Sequence, residues 1–177
     1  EIIDPTWLIS RDLNLGGVDI IEGRQDDDVL IGGAGGNGIG DYIDAVYAHH
    51  FGDADAGAHQ RAARVFELFA DHETELANQV LDALRALPGV RIIGRDTAEP
   101  GRRAATISIV LDRMKHSEAV RQLVDRQIAV RNGHFYAFRC VKALGVEDPE
   151  EGVIRISIVH YNTEEEVTRL VEGLKGL

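Results

Sequence analysis

One arginine, Arg155, stands inside the apolar run from Val153 to Val159, which continues through His160, Tyr161, Asn162 and Thr163 into Glu164–Val167. A guanidinium stays charged at any ordinary pH, and burying it without a partner is costly. Arg155 therefore calls for an anion, either a nearby carboxylate such as Glu164 or Glu165, or a bound ligand. A planar guanidinium that grips a carboxylate through two parallel bonds both holds and orients it. A second group is made of oxygen ligands. Asp19, Asp28 and Asn37 recur at a nine-residue interval among glycines, and hard cations take such oxygens. The remaining candidates carry less chemistry. The seven histidines show no metal-ligand spacing; His72 with Glu73 and Glu75 reads as a solvated helix face, and His160 as structural. No Gly-x-Ser-x-Gly elbow supports hydrolase chemistry. The single Cys140 excludes an internal disulfide and reads as a packed small hydrophobe.

The elements that must position these groups follow from periodicity. The stretch Val153–Val167 reads as a short buried strand, a tight corner and a helix, with Thr163-x-x-Glu166 as the capping box of that final helix. Apolar residues at Val65, Leu68, Phe69, Leu76, Val80, Leu81, Leu84 and Leu87 keep helical spacing from about His59 to Leu87, where Pro88-Gly89 stops it. A shorter helix starts at about Asp41 with Tyr42, Ile43, Val46 and Tyr47 on one face, and a polar linker, Asp53–Ala58, follows it. Val90–Ile93, Thr106–Leu111 and Ile128–Arg131 are β-branched strands. His116–Arg126 is a helix, and Asn132-Gly133 is expected to turn the chain into a helical Phe135–Leu144. Strands alternating with helices predict an α+β domain, a small sheet with helices packed on it and one long helix.

At 177 residues, with 44% apolar and 28% charged residues, the chain is long and apolar enough to bury a core. A formal charge of -11 argues against nucleic acid or an anionic membrane as partner. No apolar run approaches the roughly 20 residues that cross a bilayer.

Residues 1–40 and 41–177 differ in texture. Asn14–Glu22, Gly23–Ile31 and Gly32–Gly40 align in phase, with Asp19, Asp28 and Asn37 in the sixth column and Ile21, Leu30 and Ile39 in the eighth. This segment resembles the Gly/Asp-rich nonapeptides of calcium-binding β-rolls. The resemblance implies Ca²⁺ on Asp19, Asp28 and Asn37 and an extracellular setting.

From about Asp41 the chain resembles a different family. Ile128-Ala-Val-Arg-Asn-Gly-His-Phe-Tyr-Ala137 and Arg155-Ile-Ser-Ile-Val-His-Tyr-Asn-Thr-Glu-Glu-Glu-Val167 are similar to the C-terminal domain of class V aminotransferases, pyridoxal-phosphate (PLP) enzymes of fold type I that include cysteine desulfurases. Leu81–Gly94 fits the same domain. The resemblance implies that Arg155 binds the α-carboxylate of an amino-acid substrate. It implies that Arg131, Asn132, Gly133, His134 and Tyr136 form an active-site loop, and that the whole enzyme is a cytoplasmic homodimer. Desulfurases carry a nucleophilic cysteine where this chain has Tyr136, and a phenol cannot become the sulfur-accepting thiolate. None of the three lysines, Lys115, Lys142 and Lys175, matches the family's cofactor lysine, so no catalytic set is complete and the chain alone is expected to be inactive. Three readings follow: a substrate-binding part of a PLP enzyme, a calcium-binding module, and a non-catalytic interaction domain that reuses the fold.

Overall fold

A computed structural model describes residues 18–22, 29–33, 38–52 and 56–177, with residues before 40 described as backbone alone. The elements are β1 (Val18–Glu22), β2 (Val29–Gly33), α1 (Gly38–Phe51), α2 (Ala58–Ala86), β3 (Val90–Ile93), β4 (Thr106–Leu111), α3 (His116–Asp125), β5 (Arg131–Gly133), α4 (Phe138–Ala143), β6 (Val153–Ser157) and α5 (Glu164–Lys175). The chain forms two compact units that divide within α2, between Phe69 and Ala70. No helix among the described residues is long and apolar enough to cross a membrane.

In the first unit β1 and β2 pair antiparallel, from Val18 opposite Gly33 to Glu22 opposite Val29. Nonapeptide coils pair their strands in parallel, so this ladder is a hairpin and not a coil. Asp28 and Asn37 lie outside the described residues, and Asp19 is described only as part of β1. Beside the hairpin, Ile43, Val46 and Tyr47 of α1 bury against Val65 and Phe69 of α2. Arg61 clasps both carboxylate oxygens of Asp44, at 2.7 and 3.1 Å.

The second unit is built on a four-stranded antiparallel sheet in the order β3-β4-β6-β5. Side chains alternate across a strand. Ile107 and Ile109 of β4 and Ile154 and Ile156 of β6 enter the main core, shared with α2, α3 and α5. From α2 come Leu76, Ala77, Val80, Leu81 and Leu84, one stripe at helical spacing and all nearly free of solvent. From α5 come Val167, Leu170 and Leu174. The helix begins where expected: Thr163 Oγ1 accepts from the Glu166 N–H and Glu166 reaches back to the Thr163 N–H, both halves of a capping box. Gly173 lets α5 come close, since a Cβ there would stand 2.6 Å from Ile128 Cδ1 and 2.9 Å from Leu123 Cδ2.

The opposite face of the sheet is covered at one end only. Val110 and Val153 pack there with Val141 of α4, Val146 and parts of Ile93 and Phe135. α4 buries just Val141. Cys140 on it is exposed, which corrects its expected burial: a six-residue helix turns only one side to the sheet. A second correction concerns β5. The strand begins at Arg131, and Asn132 and Gly133, expected as a turn, pair with Ile154 and Val153. The Asn132 amide donates to the Glu151 carbonyl at 3.1 Å, which holds this residue extended in the ladder.

Candidate functional site

Arg155 occupies the middle of β6, opposite Ser108 of β4 on one side and Arg131 of β5 on the other. Ser108 in turn faces Ile93 of β3. Paired residues project to the same face, so Ile93, Ser108, Arg155 and Arg131 make one row across the sheet, on the face that the helical core leaves open. Ser108 and Arg155 are half-buried and Arg131 is exposed. Arg155 and Arg131 thus stand directly opposite each other across the β5–β6 ladder. Among the described residues no carboxylate stands at ion-pairing distance from Arg155. Glu164 is instead within reach of the Gln79 amide, at 3.5 Å, and Glu165 is exposed.

What Arg155 does touch is aromatic. Its Cζ lies 4.2 Å from the centroid of the Phe135 ring, a cation–π contact of about 0.5–2 kcal/mol according to its desolvation. Sequence reasoning passed over Phe135, because a ring in a loop gives no sign of which strand it will lean on. The loop that carries it is unusual. The Ala137 N–H donates to the His134 carbonyl at 2.7 Å and closes a four-residue turn. Its central residues, Phe135 and Tyr136, have φ of 48° and 60°. Positive φ at both positions is the signature of a mirror-image turn, normally made by Asn and Gly. For residues with a Cβ this costs roughly 1–2 kcal/mol each. Phe135 packs into the Val110–Val141–Val146–Val153 cluster, whereas Tyr136 projects fully into solvent at 104% relative exposure.

The rest of the expected loop is anchored beneath that turn. Gly133 bridges to Gly152, which has a φ of +66° and on which a Cβ would lie 1.9 Å from Gly133 C. His134 stacks edge-on against Phe138 at 5.8 Å, with Nε2 4.0 Å from a Glu150 oxygen. Its Nδ1 is buried without a hydrogen-bond partner. Glu151 ties the site to the core. Its carboxylate accepts from the Ser117 N–H at 2.8 Å and the Ser117 hydroxyl at 2.9 Å, at the start of α3. Those two bonds hold the carboxyl below the usual carboxylate range.

The expected solvated face holds for Glu75, which is exposed, but is corrected for His72 and Glu73. His72 Nε2 is 2.8 Å from the Asn162 carbonyl, in the corner after β6. Burial raises the Glu73 carboxyl against the opposing pull of the His160 backbone N–H and of His72. Burial lowers the His160 imidazole, with His72 adding to the effect. These residues lie where α2 meets the strand exit, a contact that helix periodicity alone cannot distinguish from solvent. A small cleft on this helix side, lined by Glu73, Thr74, Arg103 and several alanines, shares no residue with the Arg155 row.

The residues present can therefore receive a carboxylate. They do not make a PLP site. Lys115 stands at the N-cap position of α3 without a side-chain capping bond, Lys142 is exposed on α4 and Lys175 ends α5, and none belongs to the Arg155 row or its loop.

Comparison with known proteins gives a consistent result. Residues 57–170 match the family model described as aminotransferase class-V. An aminotransferase-like protein, FGM3, of Gibberella zeae is 31% identical over 115 residues, covering 63% of this chain and 28% of that protein. A cysteine desulfurase of Klebsiella pneumoniae is 36% identical over 109 residues, covering 61% of this chain and 24% of its own length. Among solved structures, the cysteine desulfurase CsdA of Escherichia coli superposes with a TM-score of 0.52 at 25% identity, over 69% of this chain and 26% of that one. A cysteine desulfurase of Thermococcus onnurineus, at 23% identity and a TM-score of 0.57, shares the fold. The chain thus spans about a quarter of the length of these relatives.

Proposed function

Because the chain belongs to the aminotransferase class-V family, we propose that it supplies the substrate-carboxylate site of a PLP-dependent enzyme acting on an amino acid. The observation that carries this reading is Arg155: a half-buried guanidinium on an interior strand, with no carboxylate partner among the described residues, in a row that opens away from the core. A guanidinium without an anionic partner can grip an α-carboxylate through two parallel bonds. The half of the site that holds PLP comes from elsewhere in the whole enzyme, which works in the cytoplasm as a homodimer. PLP supplies the electron sink there, and Arg155 fixes the amino acid by its carboxylate. The 131–136 loop lies beside that position. With Tyr136 in place of a cysteine nucleophile, the reaction is not thiolate-mediated sulfur transfer.

The test is Arg155→Ala in the whole enzyme. Loss of the clamp lowers kcat/KM for the amino-acid substrate at least about tenfold, equivalent to roughly 1.4 kcal/mol. An unchanged kcat/KM in a folded variant would overturn the assignment.

A further inference from the structure

We propose that Phe135 is the positioning residue for Arg155: its ring holds the guanidinium in place and leaves the N–H donors free for a carboxylate. This rests on the carboxylate-binding reading of Arg155. A long flexible side chain that lacks a fixed partner samples many rotamers, and each must be frozen when an anion binds. In this chain the Phe135 ring sits 4.2 Å from Cζ. A π face attracts the cation as a whole and takes up none of the donors in a conventional hydrogen bond. The carboxylate then meets a cation already placed.

Two further observations bear on why Phe135 stands there. The turn that presents it has positive φ at both central residues, a geometry that Asn-Gly would adopt without strain. Strain kept at one place points to a role there. The ring is also wedged into Val110, Val141, Val146 and Val153, so it is a fixed platform and not a mobile lid. Packing alone is the competing explanation of the same ring. It accounts for the bulk of residue 135 but not for an aromatic face turned to an arginine.

The experiment separates the two. In the ¹⁵N-labelled full chain, the Arg155 Nε–H signal is assigned by its disappearance in Arg155→Ala, and L-alanine is the titrated probe. The wild type should show a saturable shift of that signal. Cyclohexylalanine in place of Phe135 keeps the bulk and removes the π face, and should weaken binding about tenfold. Phe135→Tyr keeps the face and should bind within about twofold of wild type. Equal affinity with cyclohexylalanine overturns the positioning role and leaves the carboxylate site standing. No saturable shift in the wild type overturns the carboxylate site itself. Should the cyclohexylalanine protein fail to fold, Phe135→Leu provides the same comparison. Tenfold weaker binding by Phe135→Tyr would also count against the proposal.

Discussion

Gly152→Ala is the perturbation whose size can be worked out most directly. Gly152 immediately precedes β6, and a Cβ built on it falls 1.9 Å from the carbonyl carbon of Gly133, 2.0 Å from its oxygen and 2.5 Å from the His134 nitrogen. All three are backbone atoms, so no side-chain rotation relieves the contact. Ordinary packing distance begins at 3.4 Å, and the β5 strand would have to retreat by about 1.5 Å. Overpacking of this kind costs about 1–3 kcal/mol. The positive φ of +66° adds roughly 1 kcal/mol for a residue with a Cβ. The retreat also loosens the Asn132–Glu151 hydrogen bond, at about 1 kcal/mol. The expected loss is therefore about 3–5 kcal/mol, which belongs to the exceptional tail for single substitutions. Gly145→Ala is the matched control, with a φ of +72° and nothing within 4 Å of its Cβ; it should cost only about 1 kcal/mol. Urea denaturation followed by circular dichroism measures both. If the two variants differ by less than about 1 kcal/mol, the close approach of Gly152 to β5 is not a property of the folded protein.

Two other outcomes can be checked with the same assay. Tyr136→Asn should stabilise the fold by about 0.5–1 kcal/mol, because Asn accepts the left-handed conformation and the exposed phenol gives up no packing; a less stable variant would contradict the mirror-image turn. Glu73→Gln should be more stable than wild type at pH 7.5, and the gain should vanish near pH 4. The sign follows from the raised Glu73 carboxyl: its contribution is fully present below the unfolded value near 4.5 and is lost as pH rises through the folded one. With the group only half-buried the gain stays under about 1 kcal/mol, and a gain of the same size at both pH values would show that charge is not its source.

Much of this was legible in the sequence, for reasons that can be named. β4 and β6 are β-branched runs, α2 keeps a 3.6-residue stripe over its whole length, and Thr163 with Glu166 marks the start of α5. These signals are local, so nothing distant competes with them. The errors arose where a tertiary partner overrode a local preference. Asn132-Gly133 is a strong turn signal, yet the Glu151 carbonyl and the Val153–Arg155 edge hold it in the sheet. The reversal is passed to Phe135-Tyr136, which local propensity disfavours, and the valine cluster and Arg155 hold Phe135 there. His72 and Glu73 carry the polar pattern of a solvent face but meet the corner at Asn162 and His160. Arg155 could be identified from its type alone. The ring beside it could not, since the contact joins two segments brought together only by the sheet.

The strand order β3-β4-β6-β5 also sets the clocks of the site. β6 is hydrogen-bonded on both sides and carries the solvent-free Ile154, so its amide protons should exchange only when most of the unit opens. Tyr136, by contrast, follows the three-residue edge strand β5 and projects fully into solvent, so its side chain can move without disturbing the core. The charge proposed to hold a carboxylate thus sits on the slowest part of the unit. Only the exposed phenol of Tyr136 at the tip of the turn is left free to move, and a ligand could come and go many times over without the arginine's strand or the Phe135 platform leaving its place.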